Sequence, residues 1–165
     1  MTYSTFPSEQ FKALVEYANK DFNFVANKIN IVSSTDITGI PCWTIMAFQD
    51  TVNETTGSPE VNGIHIYLPK SSLKGEVDLV GGLTPPDLLQ NSASYFKIVD
   101  KIPDPQKKID TIVDYLGTGG AIKYAWSEDN KQVEGSFGFS AIDDNEQIFK
   151  VNGYFHIFNK GPHTI

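Results

Sequence analysis

Arginine is missing from this chain of 165 residues: all 13 basic side chains are lysine, set against 20 Asp and Glu for a formal charge of −7. Arginine supplies the planar fork that grips phosphate, carboxylate and guanine edges. Its absence, with the net negative charge, argues against a nucleic-acid partner and against an anionic membrane surface. Cysteine is nearly missing too, and Cys42 alone permits neither an internal disulfide nor a cysteine-based zinc cluster. No apolar run approaches the roughly 18 residues of a membrane-crossing helix, so no transmembrane segment is expected. The opening "MTYSTFPSEQ" has neither the basic nor the apolar region of a secretory signal. A cytoplasmic chain would read this way, and so would a secreted or surface chain whose leader had been removed.

What is present is apolar and aromatic. Hydrophobic residues make up 40% and aromatic residues 12% of the chain, enough for a packed core. A single domain of this length buries about 70% of its unfolded surface. Residues 8–20, "SEQFKALVEYANK", predict an N-terminal α-helix: Ser8 can cap it, Glu9 suits its positive end, and Phe11, Leu14, Val15 and Ala18 share a face. Beyond it the period shortens. "FNFVANKINIVSS", "CWTIMAF", "VNGIHIYLP", "GEVDLVGG" and "SASYFKIVD" read as strands, the second apolar enough to be covered on both sides. "QDTVNETTGSPE" and "LTPPDLLQN" read as loops.

Residues 104–117 satisfy two patterns. Asp104 and Pro105 can start a helical turn that carries Ile109, Ile112, Val113 and Leu116 and stops at Gly117, whereas "IDTIVDY" also alternates as a strand. The helical turn is the favoured reading. Residues 121–158 then form a three-strand meander with turns at "EDNK" and "DDNE". The expected fold is mainly β: an antiparallel β-sandwich or flattened barrel with an N-terminal α-helix, in one domain spanning 1–165. "VNGIHIY" at 61 and "VNGYFHIF" at 151 echo each other, and both glycines are expected to mark a bulge or a tight strand entry.

The succession "GIHIYLP", "GEVDLV", "NSASYF", "GGAIKYAWSEDNKQVEGSFGFSA" and "VNGYFHI" resembles an uncharacterised bacterial β-sandwich family whose members are often predicted surface lipoproteins. The family's terminal pattern of spaced glycines and apolar residues corresponds here to Gly135, Phe137, Phe139, Ala141, Val151, Gly153 and Phe155, within a resemblance that covers residues 61–158. It implies a fold and carries no catalytic residues to this chain.

Residue by residue, the catalytic motifs fail. "GTGGAIK" lacks P-loop spacing and leads into a strand, which leaves loop glycines. Ser136 lies in mid-strand alternation, not on a nucleophile elbow. Cys42 sits in apolar "IPCWTIMAF", the setting of a buried structural thiol. Of the three histidines, His65 and His156 follow the two Asn-Gly repeats and could meet across a sheet, although packed or surface histidines are the favoured reading, while His163 is near the end of the chain. No cofactor and no metal are expected. The weak calcium candidates are Asp143, Asp144 and Glu146, and the acidic turn at 128–130 lies too far from them, by about 33 Å, to share a site.

The last strand leaves a question open. One beat, Phe149, Val151, Gly153, Phe155 and Ile157, suits a core; the other carries Lys150, Asn152, Tyr154, His156 and Phe158. Tyr154, His156 and Phe158 would form an amphipathic stripe that either binds a ligand or lies beneath the N-terminal helix, coverage being favoured. The expected function is a non-enzymatic binding or interaction module for a glycan or a protein. The alternatives are a carbohydrate-active hydrolase with paired carboxylates, or a secreted, toxin-like effector that recognises target cells.

Overall fold

Alternation of period two governs the chain from its first described strand to its last. The computed structural model describes residues 9–17, 20–83, 87–100 and 110–159. They form ten strands: β1 (Gln10–Glu16), β2 (Asp21–Val25), β3 (Lys28–Thr35), β4 (Pro41–Val52), β5 (Pro59–Pro69), β6 (Lys74–Leu79), β7 (Ser92–Asp100), β8 (Asp110–Trp126), β9 (Gln132–Ile142) and β10 (Ile148–Phe158). Among the described residues there is no helix. All strand pairs are antiparallel, in the order β2-β1-β10-β9-β8-β7-β5-β4-β3, with β6 on β8. The sheet curls into a half-barrel. Its outermost strands, β2 and β3, are consecutive, and the link between them stitches the ends together: Ala26 N–H donates to Phe11 O (3.0 Å) and Asn27 N–H to Phe48 O (2.8 Å).

The expected N-terminal helix is corrected to β1. Phe11, Ala13 and Val15 are buried, while Lys12 is exposed. The helical stripe and the strand beat share Phe11 and Val15, so the segment satisfies both periods and pairing decides. β1 lies between β10 and β2, with Phe11 opposite Phe155 and Ala13 opposite Phe24. Ser8 and Ala18, also invoked for the helix, fall outside the described residues.

The favoured helical turn over 104–117 is corrected from Asp110 onward, residues 104–109 lying outside the described range. β8 is a 17-residue strand. Its first half pairs with β7, Tyr115 opposite Tyr95; its second half pairs with β9 on one side and β6 on the other. The halves meet at a register shift between Gly117 and Gly119. "GTGG" is therefore a bulge within a strand, not a loop. A Cβ at Gly117 would lie 2.4 Å from Ala93 O, and one at Gly120 2.0 Å from Gly138 O. Bare backbone lets neighbouring strands close in where the sheet turns.

The Asn-Gly echo has the same kind of cause. Gly63 lies directly opposite Phe96 and Gly153 directly opposite Phe137. A Cβ would stand 1.9 Å from Phe96 Cζ in the first case; in the second it would stand 2.8 Å from Phe137 Cζ and 2.3 Å from Lys12 O of the neighbouring β1. Both glycines make room for a ring lying across from them in mid-strand, rather than opening the strand. Phe11, Phe137 and Phe155 pack at centroid separations of 5.3 to 6.3 Å, in one cluster that also takes in Ile45, Ile64 and Ile66 from β4 and β5. β4 is covered on both faces, since Cys42 and Thr44 on one beat are buried as well as Ile45 and Ala47 on the other.

Candidate functional site

The outer beat of β10 is open, because β1 lies beside β10 as a strand and no helix among the described residues covers it. Phe149, Val151, Phe155 and Ile157 point into the core. Tyr154, on the opposite beat, is 47% exposed, the one exposed Phe, Tyr or Trp ring among the described residues. Favoured coverage of the stripe by an N-terminal helix is thereby corrected. Antiparallel register fixes the neighbours: Tyr154 lies between Lys12 and Ser136, and His156 between Gln10 and Glu134. Tyr154, His156, Gln10, Glu134 and Ser136, together with Lys123, line a groove of about 350 Å³. His156 Nε2 shares a hydrogen bond with Gln132 Oε1 (2.8 Å), which fixes the ring at one end of the groove.

Phe158 joins the stripe only in part. It is half-buried, its ring sits 5.2 Å from that of His156, and its N–H donates to Glu9 Oε1 (3.1 Å). It does not line the groove. The structure thus brings Tyr154 and His156 into one surface and leaves Phe158 at its margin.

A second depression, about 460 Å³, opens at the end of the half-barrel between Tyr17, Phe22, Asn62, Tyr95 and Lys97. Tyr17, Tyr95 and Tyr115 surround the Phe149 ring at 4.8, 5.8 and 5.7 Å. Burial raises all three phenols, assisted at Tyr17 by Asp143 and at Tyr115 by Asp144, with Tyr115 pushed up to about 12. They stay neutral in the physiological range. The two carboxylates at this rim are already engaged: Glu54 pairs with Lys20 (3.6 Å) and Glu60 accepts from Asn53 Nδ2 (2.8 Å).

The remaining sequence candidates are dispersed. Asp143 Oδ1 accepts the N–H groups of Asn145 and Gln147, both at 2.9 Å, so it caps its own turn; Asp144 and Glu146 are exposed. Among the described residues no three His, Cys, Asp or Glu side chains converge as metal ligands. His65 and His156 do not meet across the sheet, since β5 and β10 are separated by β7, β8 and β9. His65 instead packs against Phe96 (4.5 Å), and burial depresses it to about 4. Cys42 is fully buried, which raises its thiol, with Asp36 adding to the rise. Among the described residues no helix is long and apolar enough to cross a membrane.

Sequence reasoning missed Gln10, Lys123 and Glu134 as partners of Tyr154 and His156. Glu134 and Lys123 were reachable by pairing the meander strand by strand. Gln10 was hidden, because a helical reading of 10–16 takes it off the sheet. Comparison with family models, with curated proteins and with solved structures found no match.

Proposed function

We propose that this protein is a non-enzymatic binding module whose outer groove takes a glycan, with the Tyr154 ring as stacking platform. The carrying observation is that ring, 47% exposed on a strand, beside His156 and the polar side chains of Gln10, Lys123 and Glu134. An aromatic face supplies apolar contact for a sugar ring at low entropic cost, and flanking amides and charges satisfy its hydroxyls. Mounting these groups on paired strands holds them in place before binding. A paired-carboxylate hydrolase would need two acids facing one cleft; the groove contributes Glu134.

The reading extends to fold family. The pattern by which residues 61–158 resemble the bacterial β-sandwich family runs through Gly135, Phe137, Gly153 and Phe155, the residues packed beneath this groove. A glycan array probed with labelled protein tests the function. Wild type is expected to retain a chemically related subset of glycans, and Tyr154→Ala to lose them by about tenfold or more, the equivalent of about 1.4 kcal/mol. An array blank with wild type, or one that Tyr154→Ala binds equally well, overturns the reading.

A further inference from the structure

The two tryptophans of the chain come together at the end of the half-barrel away from the tyrosine cluster. Trp43 of β4 and Trp126, the last residue of β8, have ring centroids 5.1 Å apart. With Lys70, Ser71 and Ser72 between β5 and β6, and Asn130 between β8 and β9, they line a depression of about 310 Å³. One of its groups lacks the partner its chemistry requires. Trp126 is 7% exposed, and its Nε1 is buried with no hydrogen-bond partner. An indole N–H can only donate, so what is missing is an acceptor. The Lys70 ammonium sits 4.3 Å above the Trp43 ring centroid and donates to Ser33 Oγ. Among the described residues it makes no ion pair.

The lining has a single electrostatic character. No Asp or Glu contributes to it, in a chain with 20 acidic residues. Ser72 Oγ is engaged with Lys74 O and the Tyr124 hydroxyl, which leaves Ser71 as a further hydroxyl at the wall. The Trp126 Nε1–H calls for an acceptor, the Lys70 charge beside it favours an anionic one, and the aromatic walls favour a ring to carry it. We propose that this depression is a binding site for a carboxylate carried on a ring. The carboxylate accepts from Trp126 Nε1–H and Lys70 Nζ, and the ring lies against the tryptophan pair. A uronic acid and an aromatic acid present the same chemistry.

Because the chain contains only these 2 tryptophans, its tryptophan fluorescence, excited selectively over the 7 tyrosines, reports on this site. Purified protein is titrated at constant ionic strength with glucuronate and benzoate, and with glucose and benzyl alcohol as their uncharged counterparts. A saturable change is expected with glucuronate, with benzoate or with both, at an affinity about tenfold or more above that of the uncharged counterpart. Response to glucuronate alone identifies a sugar acid, and response to benzoate alone an aromatic acid. Lys70→Met should weaken binding about tenfold or more. Trp126→Phe, which keeps a ring, removes the N–H and leaves Trp43 as reporter, should weaken it too. No saturable change with either acid, or equal response to charged and uncharged compounds, overturns the proposal. So does full affinity in a Lys70→Met protein folded by circular dichroism. Should that variant not fold, retained affinity in Trp126→Phe overturns it instead. The glycan reading of the Tyr154 groove stands apart, since neither Lys70 nor Trp126 lines that groove.

Discussion

Single residues carry much of the shape of this protein through what they omit. Gly63 leaves space for the Phe96 ring directly opposite, where a Cβ would lie 1.9 Å from Cζ. A methyl at that position must displace a buried aromatic, and overpacking of this kind costs about 1–3 kcal/mol. Gly63→Ala should therefore lower the urea midpoint by a corresponding amount with an unchanged m-value; an unchanged midpoint would show that the ring moves freely. The Asn-Gly echo was visible in the sequence, but its cause was not, because the ring each glycine accommodates comes from another strand. Next along β5, His65 is held by burial at about 4, below the roughly 6.5 of an unfolded chain. The unfolded state thus binds a proton between pH 6.5 and 4 that the folded state refuses, and stability falls as pH falls through that window. The full drop is on the order of 3 kcal/mol. Replacing the imidazole by His65→Leu should flatten the slope between pH 6.5 and 4 in urea titrations, and a slope equal to that of wild type would place its origin elsewhere.

At the scale of elements, the sequence was legible wherever one beat was plainly apolar and the other plainly polar, as in β9, where Val133, Phe137 and Phe139 alternate with Glu134, Ser136 and Ser140. It failed where a short segment satisfied two periods. In β1, Phe11 and Val15 suit a helical face and a strand face equally, and nothing within the segment shows that β10 and β2 lie on either side of it. In β8, Gly117 looked like a helix stop because a bulge in a long strand and a helix end both call for glycine. A pair of substitutions separates the two forms of β1. Ala13 is 8% exposed on the core beat, so Ala13→Lys buries a charge and should cost about 3 kcal/mol or more. Leu14 lies on the outer beat and is half-buried, so Leu14→Lys should cost about 1 kcal/mol or less. Thermal unfolding of the two variants reads the difference, and an amphipathic helix built on Phe11, Leu14, Val15 and Ala18 requires the reverse order.

Over the whole molecule, the half-barrel spends its apolar residues on one continuous core and leaves a short stretch of β10 facing out with a tyrosine on it. The stripe was legible because it needs only the alternation of one strand. Its openness was not, because that depends on whether residues 10–16 cover the stripe or pair beside it. If Tyr154 serves binding rather than folding, its removal should separate the two properties. The most direct measurement is a thermal-shift comparison of wild type and Tyr154→Ala, each alone and with the glycans retained on the array. Without ligand the two midpoints should agree to within the effect of about 0.5 kcal/mol, as for an exposed side chain. A glycan at 100 times its Kd stabilises by about 2.7 kcal/mol, a rise of roughly 5–10 °C in a domain of this size. Wild type should show that rise and Tyr154→Ala should not. A Tyr154→Ala protein that melts several degrees lower without ligand, or one that gains the full rise with it, would contradict the account.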